Sequence, residues 1–142
     1  MTIGAEVEIS TSPGYMPSLF NPELSKIYDR SVTEIIGNDA TGRMPHRTSS
    51  TDMGDVSMLI PAMQSYAGGA SGRTHSDEFE ITDWNLNVID AGKALASTAI
   101  DLLADDGLEA KKIIENFKHS LSIPEYLETL RGFRRTELWN GN

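Results

Sequence analysis

His75 is the residue in this chain best placed for chemistry. It follows a run of small residues (Gly68, Gly69, Ala70, Ser71 and Gly72) and precedes Ser76, Asp77 and Glu78. An imidazole held just past the end of a strand is well placed to ligate a metal, and neighbouring glycines let a substrate approach. The same pattern also fits a solvent-exposed loop histidine, which is the commoner case. A second candidate is Ser49-Ser50-Thr51-Asp52-Met53-Gly54-Asp55-Val56-Ser57, where Asp52 and Asp55 share a Ser/Thr/Gly-rich stretch. Two such carboxylates can bind a cation or orient a ligand. They can equally cap a helix or close Asx-turns. His46 lies in a loop, and His119 lies near a helix end, where an imidazolium meets the negative end of the dipole. The chain has no cysteine, so a metal site here would use His and carboxylates alone.

The elements around these residues are legible from periodicity and breakers. Met1 to Ile9 alternates, with Ile3, Ala5, Val7 and Ile9 on one face, and reads as a half-buried strand that Ser12-Pro13-Gly14 ends. Asn21-Pro22 is an N-cap followed by Pro at the first helical position, where its missing N–H costs nothing. Leu24, Ile27, Tyr28, Ile35 and Ile36 then form a helical stripe that stops at Gly37. Residues 37–55 read as a loop. Met58 to Ile60 and Met63 to Ala67 flank Pro61 as short local strands, the second buried and ending at Gly68-Gly69. A long helix is expected from Asp83 to Leu103, with Ala91, Ala94, Ala96 and Ala99 suiting tight packing on a sheet. Asp105-Asp106 would cap a further helix carrying Leu108, Ile113, Ile114 and Phe117, and Pro124 opens a last short helix through Leu130.

At 142 residues, with 39% apolar and 23% charged residues, the composition is that of one globular domain. The net charge of −9 opposes binding to nucleic acid or to an anionic membrane, since both repel an acidic protein. No apolar run reaches the roughly 18–20 residues that span a bilayer, and the first residues do not read as a signal peptide. A cytoplasmic location is the expectation.

Taken together, the motifs resemble the closing part of the zinc-dependent amidohydrolase and metallopeptidase family, which includes aminoacylases, hippurate hydrolases and p-aminobenzoyl-glutamate hydrolases. Three elements carry the likeness in order. They are Ser50-Thr51-Asp52-Met53-Gly54-Asp55-Val56-Ser57, then Pro61 leading to Tyr66-Ala67-Gly68-Gly69, then Thr74-His75-Ser76-Asp77-Glu78-Phe79. The helix with Ala91-Gly92-Lys93-Ala94-Leu95 is also similar, and the first element is nearest to the p-aminobenzoyl-glutamate hydrolase-like branch. Glu6 to Leu24 resembles the return from the family's inserted lid domain.

The resemblance implies an α/β fold: the C-terminal fragment of a zinc-exopeptidase-like catalytic domain, with helices packed on a mixed sheet, preceded by the last strand of a lid or dimerisation domain. Residues 1–20 would end the lid and residues 21–142 would belong to the catalytic domain. It implies a metal-dependent hydrolase that cleaves the amide bond of an N-acyl or aryl-acyl amino acid with two zinc ions. His75 would be a metal ligand, and Thr51, Asp52, Gly68 and Gly69 would line the substrate cleft. Nothing in the chain resembles the family's other ligands or its general-base glutamate, which belong to motifs that precede the lid. The isolated chain is therefore expected to be inactive and to bind zinc weakly at most. It is also expected to self-associate or to join the missing N-terminal portion. Two other readings stay open, a non-catalytic binding or assembly module and one subunit of a split enzyme.

Overall fold

Asn21 starts the first helix as its side-chain chemistry requires. Its Oδ1 accepts the backbone N–H groups of Glu23 and Leu24, each at 3.0 Å, and satisfies donors that a helix start leaves free. The computed structural model describes residues 6–38, 42 and 48–139. Within them, β1 (Val7–Thr11) leads through an irregular segment to α1 (Pro22–Ile36), which ends at Gly37 with φ of 102°. After α2 (Met53–Leu59) come the short strands β2 (Ala70–Ser71) and β3 (Glu80–Ile81). A π-helical turn, Asn85–Asp90, runs straight into α3 (Ala91–Asn116). The chain closes with α4 (Ile123–Phe133) and β4 (Arg135–Trp139).

The centre of the fold is the crossing of α1 and α3. Ser31 and Ala94 have no exposed surface, and Thr98 is buried beside them. Small side chains at this crossing let the two backbones approach. Thr98 donates to the carbonyl of Ala94 at 2.7 Å, with Ser31 Oγ 3.3 Å away, so the buried hydroxyls have partners. At the rim of the crossing, Arg30 pairs with Asp101 at 2.9 Å. Ala94 of α3 thus serves a helix, where a sheet was expected, while Ala96 and Ala99 are exposed. The buried apolar side chains among the described residues are Ile27, Val32, Met58, Ala62, Ala94 and Ile113.

Helices and strands both occur, but the mixed sheet expected beneath the helices is not among the described residues. The strands form two separate antiparallel pairs. β1 runs against β4 in a register from Val7↔Trp139 to Thr11↔Arg135, and β2 pairs with β3 as Ala70↔Ile81 and Ser71↔Glu80. Two expected strands are corrected. Met58 and Leu59 complete the last turn of α2, and Ile60, in extended backbone, ends it. Met63 to Ala67 forms no strand, because no strand among the described residues offers it a ladder. The expected interruption after Leu103 is present, and it is made by the backbone. Asp105, Asp106 and Gly107 take φ of 49°, 58° and 73°, which breaks α3 into two helical runs. The part of the first strand before Glu6 lies outside the described residues.

Candidate functional site

Residues 50–57 fold into the N-terminal approach and body of α2, where they hold the preceding segment in place. Asp55 Oδ1 accepts the N–H of Met16 at 3.2 Å. Ser57 Oγ accepts the N–H of Leu19 at 2.9 Å and donates to the carbonyl of Gly54 at 2.8 Å. Gly54 is buried against the backbone of Met16, and any Cβ there would overlap Met16's carbonyl oxygen. Tyr126 of α4 lies beside this latch, and its phenol pKa is raised, first by loss of solvent and then by the charge of Asp55. Thr51 and Asp52 stand just before α2. The Thr51 hydroxyl donates to Asp52 Oδ1 at 3.2 Å, and the Asp52 side chain is exposed.

Gly68 and Gly69 make a turn that seats on the start of the long helix. The Gly68 carbonyl accepts from Asn87 Nδ2 at 2.8 Å, and the Gly69 carbonyl accepts the N–H groups of Thr82 and Asp83 at 2.9 and 3.0 Å. Gly69 has φ of 77°, and a Cβ there would come within 2.7 Å of the Asp83 carbonyl oxygen. Both its conformation and its surroundings require glycine. β2 and β3 then form a small hairpin with His75 in its loop. Ser76 fixes that loop by donating to the Arg73 carbonyl at 2.7 Å and accepting the N–H of Glu78 at 3.3 Å. His75 itself is exposed and sits at φ of 63°, a left-handed conformation that is uncommon for a side-chain-bearing residue.

One cleft of about 1140 Å³ opens between α1, residues 15–20 and residues 63–68. Thr51 and Gly68 line it; Asp52, Gly69 and His75 do not. The structure thus brings two of the five sequence-derived site residues to one cavity and leaves His75 on a separate hairpin. His46 lies outside the described residues. His119 follows the end of α3 and packs edge-on against Phe117, with ring centroids 5.0 Å apart. Sequence reasoning did not single out Phe20 and Gln64, and it took Tyr15 and Tyr66 only as parts of motifs and Tyr28 only as part of a helical stripe, yet all five line the cleft. A polar Gln64 inside the run Ala62 to Ala67 was the signal available.

Among the described residues no group of three or more His, Asp or Glu side chains is arranged to hold a metal ion. A catalytic zinc takes about three protein ligands. The described part of this chain offers His75 without convergent companions, so it does not fit a complete zinc centre and no step is derived through one. None of the helices is long and apolar enough to cross a membrane among the described residues. No protein-family model, curated protein or solved structure matches the chain.

Proposed function

We propose that this chain is the C-terminal portion of a zinc-dependent amidohydrolase that cleaves the amide bond of an N-acyl or aryl-acyl amino acid. In this reading it supplies one metal ligand, His75, and one wall of the substrate cleft, while the remaining ligands and the general base come from a preceding portion. The observation that supports it is the convergence of Thr51 and Gly68, from two separate motifs, on one cleft. The left-handed backbone at His75 adds support, because such conformations concentrate at functional sites. The implied fold is the finer one, a zinc-exopeptidase-like catalytic segment following the last strand of a lid. The implied compartment is the cytoplasm.

Hydrolysis of hippurate and of p-aminobenzoyl-glutamate, with zinc or manganese added, tests the proposal. The isolated chain should show no turnover above background. Joined in trans by the portion encoded immediately upstream, it should turn over, and His75→Ala should lower that rate by at least about 10–100-fold, the range that loss even of a group supporting a metal ligand costs. Turnover by the isolated chain would reject the shared-site reading. Joint activity indifferent to His75→Ala would reject the ligand assignment. One observation favours a second reading, that of an assembly module. Ile100 and Leu103 on α3 are 67% and 74% exposed, an apolar surface that suits a partner.

A further inference from the structure

Residues 12–20 join β1 to α1 without forming helix or strand, and Tyr15, Met16, Pro17 and Phe20 among them line the cleft. Pro13 and Pro17 lack the N–H that a ladder needs. Among the described residues the segment makes no backbone–backbone hydrogen bond. Two side chains of α2 hold it instead. Asp55 Oδ1 accepts the N–H of Met16 at 3.2 Å, and Ser57 Oγ accepts the N–H of Leu19 at 2.9 Å. Gly54 gives the Met16 main chain a close seat with no side chain to interlock with it. The two ends are anchored differently. β1 is paired with β4 along its length, and Asn21 caps α1 while donating its N–H to the Ala62 carbonyl at 2.8 Å. Between these anchors little apolar surface is covered, since Tyr15 and Leu19 are 58% and 48% exposed. A segment with few buried contacts and few backbone hydrogen bonds opens locally, well below the cost of unfolding the whole chain.

We infer that residues 12–20 are a strap that opens and shuts the cleft as one unit, with Asp55 and Ser57 as the positioning residues that latch it. Opening takes one wall away and gives access from that side to Val32 of α1, a buried residue that lines the same cleft. The inference shares its cleft with the hydrolase reading. It needs no metal and no substrate, so the two fail separately.

The test is amide hydrogen exchange of the 142-residue chain, followed by NMR without urea and at low urea concentrations. The N–H groups of Met16 and Leu19 should exchange at least about tenfold faster than those of Ser31 and Thr98 at the α1–α3 crossing. Their rates should stay flat as urea rises, because the urea slope follows the surface exposed on opening. Ser57→Ala removes the acceptor of Leu19 alone, yet it should speed both amides about fivefold, the scale of one hydrogen bond. Val32→Cys puts one thiol into a chain that otherwise has none. Its labelling by a soluble thiol reagent should also be flat in low urea and should quicken by the same factor when Ser57→Ala is added. Met16 and Leu19 amides that exchange with the rate and urea slope of the crossing overturn the inference on the unaltered chain, whether or not a variant folds. Amides with no protection at all do the same. Acceleration of Leu19 without Met16 overturns the single unit, and labelling indifferent to Ser57→Ala overturns the control of the cleft.

Discussion

Gly54 shows how a motif residue can be fixed by packing. An exposed helical Gly→Ala exchange gains about 1 kcal/mol of helix propensity. Here the added methyl would overlap the carbonyl oxygen of Met16, a backbone atom that cannot rotate away. Overpacking of that kind costs roughly 1–3 kcal/mol or more and outweighs the propensity gain. Gly54→Ala should therefore lower the urea midpoint. A raised midpoint would mean that residues 16–19 do not rest on α2. Asp55 and Ser57 act in the same latch, since each accepts a main-chain N–H from that segment. The Ser-Thr-Asp-Met-Gly-Asp-Val-Ser run thus divides by role. Thr51 lines the cleft, while Gly54, Asp55 and Ser57 hold residues 16–19, three of which also line it. Residue types alone did not show this division, because a carboxylate that holds a loop and one that holds a cation look alike in sequence.

At the scale of elements, α4 carries the clearest local signal. Ser122 and Glu125 form a reciprocal capping box, with the Ser122 hydroxyl 2.6 Å and its N–H 2.8 Å from Glu125 Oε2. The hydroxyl first and the backbone N–H second lower the Glu125 pKa below its ordinary 4.5. A folded-state pKa below the unfolded one gives a contribution that is complete above the unfolded value and fades as pH falls through the folded value. The α4 cap should therefore weaken below about pH 4.5, read as loss of helical circular dichroism. Ser122→Ala should move the Glu125 titration, followed by carboxyl NMR, upward towards the ordinary value. A Glu125 titration unmoved by Ser122→Ala would argue against the reciprocal cap. Pro124 near this helix start, Asn21-Pro22 before α1 and Gly37 after it were all legible because caps are local chemistry. The segment Met58 to Ala67 was not legible, since a short apolar run suits helix and strand alike until its neighbours are known.

The whole molecule exposes more surface than its mass requires. Its accessible area is 10910 Å² at 15.6 kDa, against about 7,200 Å² for a typical folded monomer of that mass. Trp84, Leu95, Ile100, Leu103 and Ile114 along the π-helical turn and α3 are all exposed, and the β1–β4 ribbon has no third strand among the described residues. Two-stranded ribbons are marginal alone, and large apolar patches favour association. The chain in solution should therefore elute as a self-associated species, or bind the preceding portion that the proposed function calls for when that is supplied. Size-exclusion chromatography with light scattering measures this. A sharp, cooperatively melting species of 15.6 kDa that ignores the added portion would show these residues to be self-sufficient.

The sequence by itself determined the local events: where α1 begins and ends, where α3 breaks, where α4 opens near Pro124, and the acidic, cysteine-free character of the chain. Each depends on a few adjacent residues whose preferred dihedrals or side-chain acceptors decide the outcome without distant help. Only the tertiary structure decided that α3 packs on α1 through Ser31, Ala94 and Thr98, that β1 finds β4, and that the 50–57 motif latches residues 16–19. It also separated Thr51 and Gly68, which share a cleft with Gln64, from His75 on its hairpin. Such pairings join residues far apart in the chain. They are selected by shape, burial and the pairing of polar groups across the fold, none of which a local pattern encodes.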